Sequence, residues 1–329
     1  MLAAVEPVRW GLLSTARINA ALIPGLQESD DSELVAVASR TQERAEEYAS
    51  EWEIGTAHGS YDALLADPEI EAVYISLPNG QHVDWSVRAL EAGKHVLCEK
   101  PLSRHPSEVE RAFDVADAAE RLLMEAFMWR HHPQSKRLAE LVRDGAIGEL
   151  RLMRASFSFP LGDPDDIRLD AALEGGALMD VGCYCVSGSR LIAGEPVTAS
   201  AQQVSAPKGV DARLVGTLVF GGGVLGQIDC ALDLPDRQRF EIVGSTGSLR
   251  VAMPWAIDDP GIELVRGDEV ELIEIEPLNR YRLQTDNFSR AVRGLEPPLL
   301  GRADALGQAR AIDALYRSAE ADGEPASTV

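Results

Sequence analysis

The chain of 329 residues is 45% hydrophobic and carries 31 basic against 53 acidic residues, a formal net charge of −22. That is enough apolar content for a large core split into two domains, and the acidic balance argues against nucleic acid and anionic lipid as partners. No window nears about 18 consecutive apolar residues, and the opening MLAAVEPVRW lacks the basic start and apolar stretch of an export signal, so a cytoplasmic protein that does not enter a membrane is expected.

From residue 8 to about 130, short apolar runs (VRWGLL, ELVAVAS, EAVYISL, KHVLCE, LLMEAFM) alternate with amphipathic stretches. This rhythm predicts βαβ units and a parallel sheet. The first turn, WGLLSTARI from Trp10 to Ile18, stands where a dinucleotide fold lays pyrophosphate on backbone N–H groups at a helix start. Gly11 suits a tight turn, and the next two glycine positions hold the small residues Ser14 and Ala16. Ser14 is expected to offer its hydroxyl to a phosphate. With Thr15, Arg17 and Ile18 these residues form the candidate cofactor loop, an ordinary βα turn being the alternative. Trp10 packs in the core or lies beside the cofactor.

The second strand ends at Ser39 and Arg40, where an NAD-specific protein carries an acid for the ribose 2′-hydroxyl. A hydroxyl and a guanidinium suit a 2′-phosphate instead, so NADP is expected in preference to NAD. Asp30 and Asp31 precede the strand and cannot serve as that acid. A solvated loop charge is the alternative for Arg40.

Further on, Leu77, Pro78 and Asn79 lead into HVDWSVRALEA, whose apolar spacing and following Gly93 predict a helix. His82 opens it, placed either to approach the cofactor or to cap the helix. The next strand, HVLC, runs into Glu99, Lys100 and Pro101. Side chains at the carboxyl end of a parallel strand point into the ligand crevice, and proline fixes the backbone that follows, so Lys100 reads as a mounted functional group. A surface lysine after an edge strand is the alternative for Cys98-Glu99-Lys100-Pro101 taken alone. Leu77, Pro78, Asn79, His82, Glu99 and Lys100 complete the candidate cofactor set, and Trp129, Arg130 and His131 are candidate substrate contacts.

After a helix at PQSKRLAELVRDG, a series of strands joined by Gly-rich or polar turns predicts an antiparallel sheet, closed by helices at TDNFSRAVRGLEPPL and DALGQARAIDALYRSAEADG. Within GGALMDVGCYCV, Gly175 and Gly176 allow a helix to begin close to a ligand. Asp180 and Tyr184, four apart, then share one helical face. A core tyrosine and a structural carboxylate are the alternatives. The four cysteines read as reduced residues, and no zinc-like spacing appears, so no metal is expected.

LPNGQHVDWSVRALEAGKHVLCEKPLS, then EAFMWRHHPQ, then GGALMDVGCYCV, together with the C-terminal EIVGSTGSLRV, resemble the glucose-fructose oxidoreductase, inositol dehydrogenase and rhizopine-catabolism family (Gfo/Idh/MocA) over nearly the whole chain. The resemblance implies an α/β protein: an N-terminal doubly wound Rossmann domain over 1–130 and a C-terminal α+β domain over 131–329, with a large, open, mostly antiparallel sheet for substrate binding and oligomerisation. It implies hydride transfer between a nicotinamide and an aldose or similar cyclic polyol. It maps the family's functional lysine onto Lys100 and makes a cis bond before Pro101 the common state. Inositol dehydrogenases of the family carry aspartate and histidine at the i, i+4 pair. Tyr184 here looks instead like the branch containing aldose and dihydrodiol dehydrogenases.

On this reading Tyr184 is the acid/base. A phenol ionises near pH 10, so it needs the Lys100 ammonium and the nicotinamide cation beside it. Lys100 also hydrogen-bonds the substrate oxygen, and Asp180 orients a second hydroxyl or holds Lys100. Two alternatives stand: a non-catalytic cofactor-sensing regulator, against which retention of both Lys100 and Tyr184 speaks, and a sugar–sugar oxidoreductase with non-dissociating NADP, whose leader and N-terminal arm are not read here. An open sheet face would expose a large apolar patch in a monomer, so a homodimer or higher homo-oligomer is expected. Free sugar, nucleotide-linked sugar and dihydrodiol stay open as substrates, because the loop PLGDPDDIRLDAALE has no readable conformation.

Overall fold

Apolar strands alternating with amphipathic helices bury both strand faces only in a parallel sheet covered on each side. In the computed structural model, which describes residues 6–328, strands β1 (Val8–Leu13), β2 (Ser32–Ala38), β3 (Thr56–His58), β4 (Ala72–Ile75), β5 (His95–Cys98) and β6 (Leu123–Glu125) form a six-stranded sheet of order β3-β2-β1-β4-β5-β6. Every neighbouring pair is parallel. Between the strands run helices α1 (Asn19–Gln27), α2 (Gln42–Glu51), α3 (Tyr61–Leu65), α4 (His82–Glu91) and α5 (Pro106–Ala119). Strand β3 escapes the sequence pattern because Thr56-Ala57-His58 offers no apolar run. By chain contacts the first compact unit takes the chain up to Ser103, with Ser107–Met128 and Asn279–Ala305.

The return segment carries an α-helix at Arg280–Val292, which packs on α1. The approach is close: a Cβ on Gly25 would lie 2.7 Å from the Arg282 backbone nitrogen. Trp10 belongs to this packing and is fully buried. Its ring lies 5.3 Å from that of Phe288, and its Nε1 donates to Ser289 Oγ at 3.0 Å.

His95, at the start of β5, accepts the Leu122 N–H on Nδ1 at 3.0 Å. Burial, with Arg121 adding to it, pushes the ring down to about 4. On acidification the unfolded chain therefore takes up the proton first, and the fold loses stability as pH falls from about 6.5 toward 4. His95→Gln is expected to flatten that part of the acid limb when the thermal midpoint is followed against pH; an unchanged limb would contradict the assignment.

The second unit comprises Arg104–Pro106, Trp129–Leu278 and the chain from Leu306 onward. In chain order it holds α6 (Pro133–Arg143), β7 (Leu150–Ser158), α7 (Cys183–Ala193), β8 (Pro196–Ser205), β9 (Asp211–Phe220), β10 (Leu225–Ala231), β11 (Arg237–Gly244), β12 (Ser248–Val251), β13 (Gly261–Arg266) and β14 (Glu269–Glu274). The return helix takes the label α8, and α9 (Arg302–Glu320) and β15 (Ala326–Ser327) complete the chain. The nine-stranded sheet has the order β14-β13-β12-β11-β7-β10-β9-β8-β15. It is mixed: β7 and β10 pair in parallel, and every other pair is antiparallel.

One face of this sheet packs under α7; the other departs from the expected apolar patch. Register aligns Thr217, Gln227, Arg154, Glu241, Arg250, Glu263 and Leu272 in one cross-strand row. Glu241 pairs there with Arg250 at 3.2 Å and with Arg154 at 3.5 Å. Exposed Val215, Leu225 and Leu272 share the face with these charges, so it is mixed in character. Alternation along each strand hides this from composition, because the outward positions carry both kinds of residue.

Candidate active site

In a sheet of order 3-2-1-4-5-6, the carboxyl ends of β1 and β4 flank the topological switch point, where ligands bind. The turn after β1 is pinned there by polar side chains. Ser14 adopts φ 138, a conformation that favours glycine. Its hydroxyl donates to Ser76 O at 3.2 Å, lies 2.7 Å from Ser76 Oγ, and accepts from Ala16 N at 3.2 Å. Asn19 closes the network, donating to Ser14 O at 2.8 Å and accepting from Ser76 Oγ at 2.7 Å. The Ser14 hydroxyl, expected to serve a phosphate, is thus committed inside the protein. Gly11 also differs from expectation: it lies within β1, and a Cβ there would crowd Leu64 and Ile70 at 3.1 to 3.2 Å. Its smallness serves packing against α3 instead of a turn.

Ser39 is buried at the end of β2, and Arg40 is exposed beside it. Sequence reasoning passed over Arg44 in the first turn of α2. Its Nε donates to Thr15 Oγ1 at 3.0 Å, which brings the helix start to the β1 turn. Burial raises the Tyr61 hydroxyl, while Arg40 and Arg44 both pull it down, so the two guanidiniums lie near the same ring. Among the described residues none of Arg17, Arg40 and Arg44 has a carboxylate at ion-pair distance. In a chain of net charge −22 that is a deliberate gap. Arg40 and Arg44 together fit a phosphate-bearing dinucleotide, and in the sequence they stand four residues apart on either side of the Thr41 N-cap.

Strand β5 delivers Glu99 and Lys100, both half-buried, to the same end of the sheet, and the Lys100–Pro101 bond is cis. The Glu99 carboxylate accepts the Tyr74 hydroxyl and the Lys100 N–H, the latter at 3.3 Å. His82 is 1% exposed, with Nδ1 2.8 Å from Pro101 O and Nε2 2.8 Å from Leu77 O. Burial, aided by the Lys100 charge, holds the ring below its ordinary pKa, so at neutral pH it carries one N–H for the two carbonyls. Its ring thus clasps the Leu77 and Lys100 segments together instead of turning outward to a ligand. Leu77, Pro78 and Asn79 remain partly exposed beyond it. Tyr281 of α8, unsuspected from a sequence position so distant, lies close enough to Glu99 and Lys100 to feel both charges, although burial dominates and raises its hydroxyl.

The second unit carries the other candidates. The segment expected to start a regular helix opens as a π-turn, Leu178–Gly182, and becomes α-helical from Cys183. A π-turn widens the local spacing, so Asp180 and Tyr184 are offset differently from an ordinary i, i+4 pair; such turns concentrate at functional sites. Asp180 pairs with Arg168 Nε at 2.9 Å, and Arg168 also meets Asp166 at 3.2 Å. The loop whose conformation the sequence withheld therefore lies against Asp180. Tyr184, 7% exposed, packs edge-on to Phe157 at 5.5 Å and near Trp255 at 6.2 Å. Trp129 meets Trp255 at 5.0 Å, and Arg130 reaches Ser187 Oγ, one turn beyond Tyr184, at 3.3 Å. His131 is pushed down to about 3 by burial and by Arg130, whereas His132 caps α6 by accepting from Gln134 N.

Residues 8–127 match the oxidoreductase family with an NAD-binding Rossmann fold, and residues 135–250 match the GFO/IDH/MocA C-terminal domain. D-xylose 1-dehydrogenase (NADP(+)) 2 of Haloferax volcanii is 40% identical over 94% of this chain and 97% of its own. A 3-ketoreductase from Actinomadura kijaniata, solved with NADP and TDP-benzene, superposes with a TM-score of 0.89 at 33% identity, covering 95% of this chain and 98% of that one. The aldose-aldose oxidoreductase of Caulobacter crescentus, complexed with glycerol, gives a TM-score of 0.91 at 27% identity over 98% and 99% of the two chains.

Proposed function

Because the chain belongs to the GFO/IDH/MocA oxidoreductase family, we propose that it is an NADP-dependent dehydrogenase of free aldoses or similar cyclic polyols, with Tyr184 as acid/base and Lys100 as its electrostatic partner. The observation that carries the reading is Lys100 itself, which follows β5 in an NAD-binding fold with its backbone N–H held by Glu99 and the next residue, Pro101, held by His82. Bound NADP supplies the hydride acceptor. Tyr184 takes the hydroxyl proton as the carbonyl forms, Lys100 donates a hydrogen bond to the same oxygen and favours the phenolate, and Asp180 holds a second hydroxyl. In the reverse direction the same groups protonate the carbonyl oxygen. The Arg40 and Arg44 guanidiniums, without a carboxylate at ion-pair distance among the described residues, support the preference for NADP.

A free sugar is favoured over a nucleotide-linked one by the loop beside Asp180. It carries Asp163, Asp165, Asp166, Asp170 and Glu174. The nearby cations are already engaged, Arg168 with Asp166 and Asp180, and Lys208 with Asp165 at 2.9 Å. Asp163 and Asp170 make no ion pair among the described residues, so a diphosphate would meet net negative charge there. Initial rates with NADP and NAD, measured across aldoses, inositols, a dihydrodiol and a dTDP-sugar, test this. Aldose turnover preferring NADP is the expected result. Faster turnover of the dTDP-sugar would overturn the substrate class, and saturable cofactor binding without turnover would favour a sensor.

A second copy of the chain is expected on the open face of the nine-stranded sheet. Sedimentation at twice the chain mass or more agrees with this, and a monomer would remove it.

A further inference from the structure

We propose that Asp211 is a positioning residue for the turn that carries Asp180 and Tyr184, holding it through a carboxylate buried at the start of β9. This deepens the reading above and rests on the roles given there to Asp180 and Tyr184. Asp211 is 2% exposed and makes no ion pair at contact distance among the described residues. Its Oδ2 accepts the Leu178 N–H at 2.7 Å, and its Oδ1 accepts the Tyr316 hydroxyl at 2.8 Å. Leu178 opens the π-turn, and no side chain of the preceding Ala177 caps it. Asp211 therefore does from a distant strand what an N-cap residue does locally, and its negative charge suits the positive end of the helix dipole.

The backbone is pressed against the same carboxylate. Gly176 has φ 120, and a Cβ there would overlap Asp211 Oδ1. Gly176 O accepts the Asp180 N–H at 3.0 Å, so the residue packed against the Asp211 carboxylate also bonds the Asp180 backbone. Any other hydrogen-bonded polar group would suffice for burial alone; a carboxylate that collects the first N–H of the turn and a phenol of α9 fixes where Asp180 stands.

The groups facing Asp211 are the Tyr316 hydroxyl from α9, the Cys230 thiol from β10 and the Arg104 guanidinium from the segment after β5. Burial raises Asp211 to about 6 against the pull of its two donors, while burial and Asp211 push Tyr316 well up, so Tyr316 stays a donor. With its folded pKa above the unfolded value, ionised Asp211 costs stability as pH rises through about 6, while Asn at this position keeps an acceptor for only one of the two buried donors.

The test uses the full chain with Asp211→Asn and Tyr316→Phe, read by amide hydrogen exchange over 176–184 and by steady-state kinetics with NADP and an aldose. Asp211→Asn is expected to speed exchange at Leu178 and its neighbours, to lower kcat by about 10- to 100-fold with KM for NADP nearly unchanged, and to lose any activity limb near pH 6. Tyr316→Phe keeps the Leu178 contact and should give a smaller effect of the same kind; it decides the matter by the same readouts if the first variant does not fold. Unchanged exchange over 176–184 in Asp211→Asn overturns the proposal whether or not turnover is seen. Failure of the wild-type chain to turn over any sugar tells against the proposed function instead, and the exchange result still stands on its own.

Discussion

Replacing Tyr184 with phenylalanine, or Lys100 with alanine, is expected to lower kcat by about 10²- to 10⁴-fold, the range associated with loss of a positioned acid or base. Tyr184→Phe removes only the hydroxyl and leaves the ring packing on Phe157 and Trp255 in place. On the proposed mechanism Lys100→Ala removes both a hydrogen bond to the substrate oxygen and the charge that favours the phenolate, so its loss should be at least as large. If the pair acts as a unit, the double variant falls little further than either single one. Additive losses would mean that the two side chains work independently.

The second large effect is expected at the cofactor. Arg40→Ala and Arg44→Ala should each raise KM for NADP by about 10-fold or more, since a hydrogen bond to a charged group contributes about 1.5–3 kcal/mol. Activity with NAD should change little, because NAD has no 2′-phosphate for these guanidiniums to meet. The double variant should lose its preference between the two cofactors. Equal loss with both would assign the arginines to the pyrophosphate or to folding. Arg44 carries the sharper form of the test, because its only hydrogen-bonding partner among the described residues beyond its own helix start is Thr15.

Much of this was legible in the chain because it is written locally. The strands β1, β2, β4, β5 and β6 are short apolar runs, and Lys100 follows one of them directly, so its place at the ligand-facing end needs no tertiary information. Other features depend on partners far away in sequence. Ser14 loses its hydroxyl to Ser76 and to the Ala16 N–H, and Gly11 is kept small by Leu64 and Ile70; the partners distant in sequence do not show in the loop's own spelling. His82 turned out to hold Pro101 and Leu77 because its ring points back into the first unit. Asp180 was found from its spacing to Tyr184, yet its partner Arg168 and the support from Asp211 come from a loop and a strand with no periodic signal. The π-turn is likewise invisible to a 3.6-residue period.

The central claim, an NADP-linked aldose dehydrogenase that moves its proton through Tyr184, is tested most directly by single-turnover NADPH formation. The wild-type chain and Tyr184→Phe would be compared, each saturated with NADP and with the best aldose of the panel. The account predicts a slowing of about 10²-fold or more in the variant, with bound cofactor unchanged. Equal rates in the two proteins would contradict it and move the proton transfer to another group.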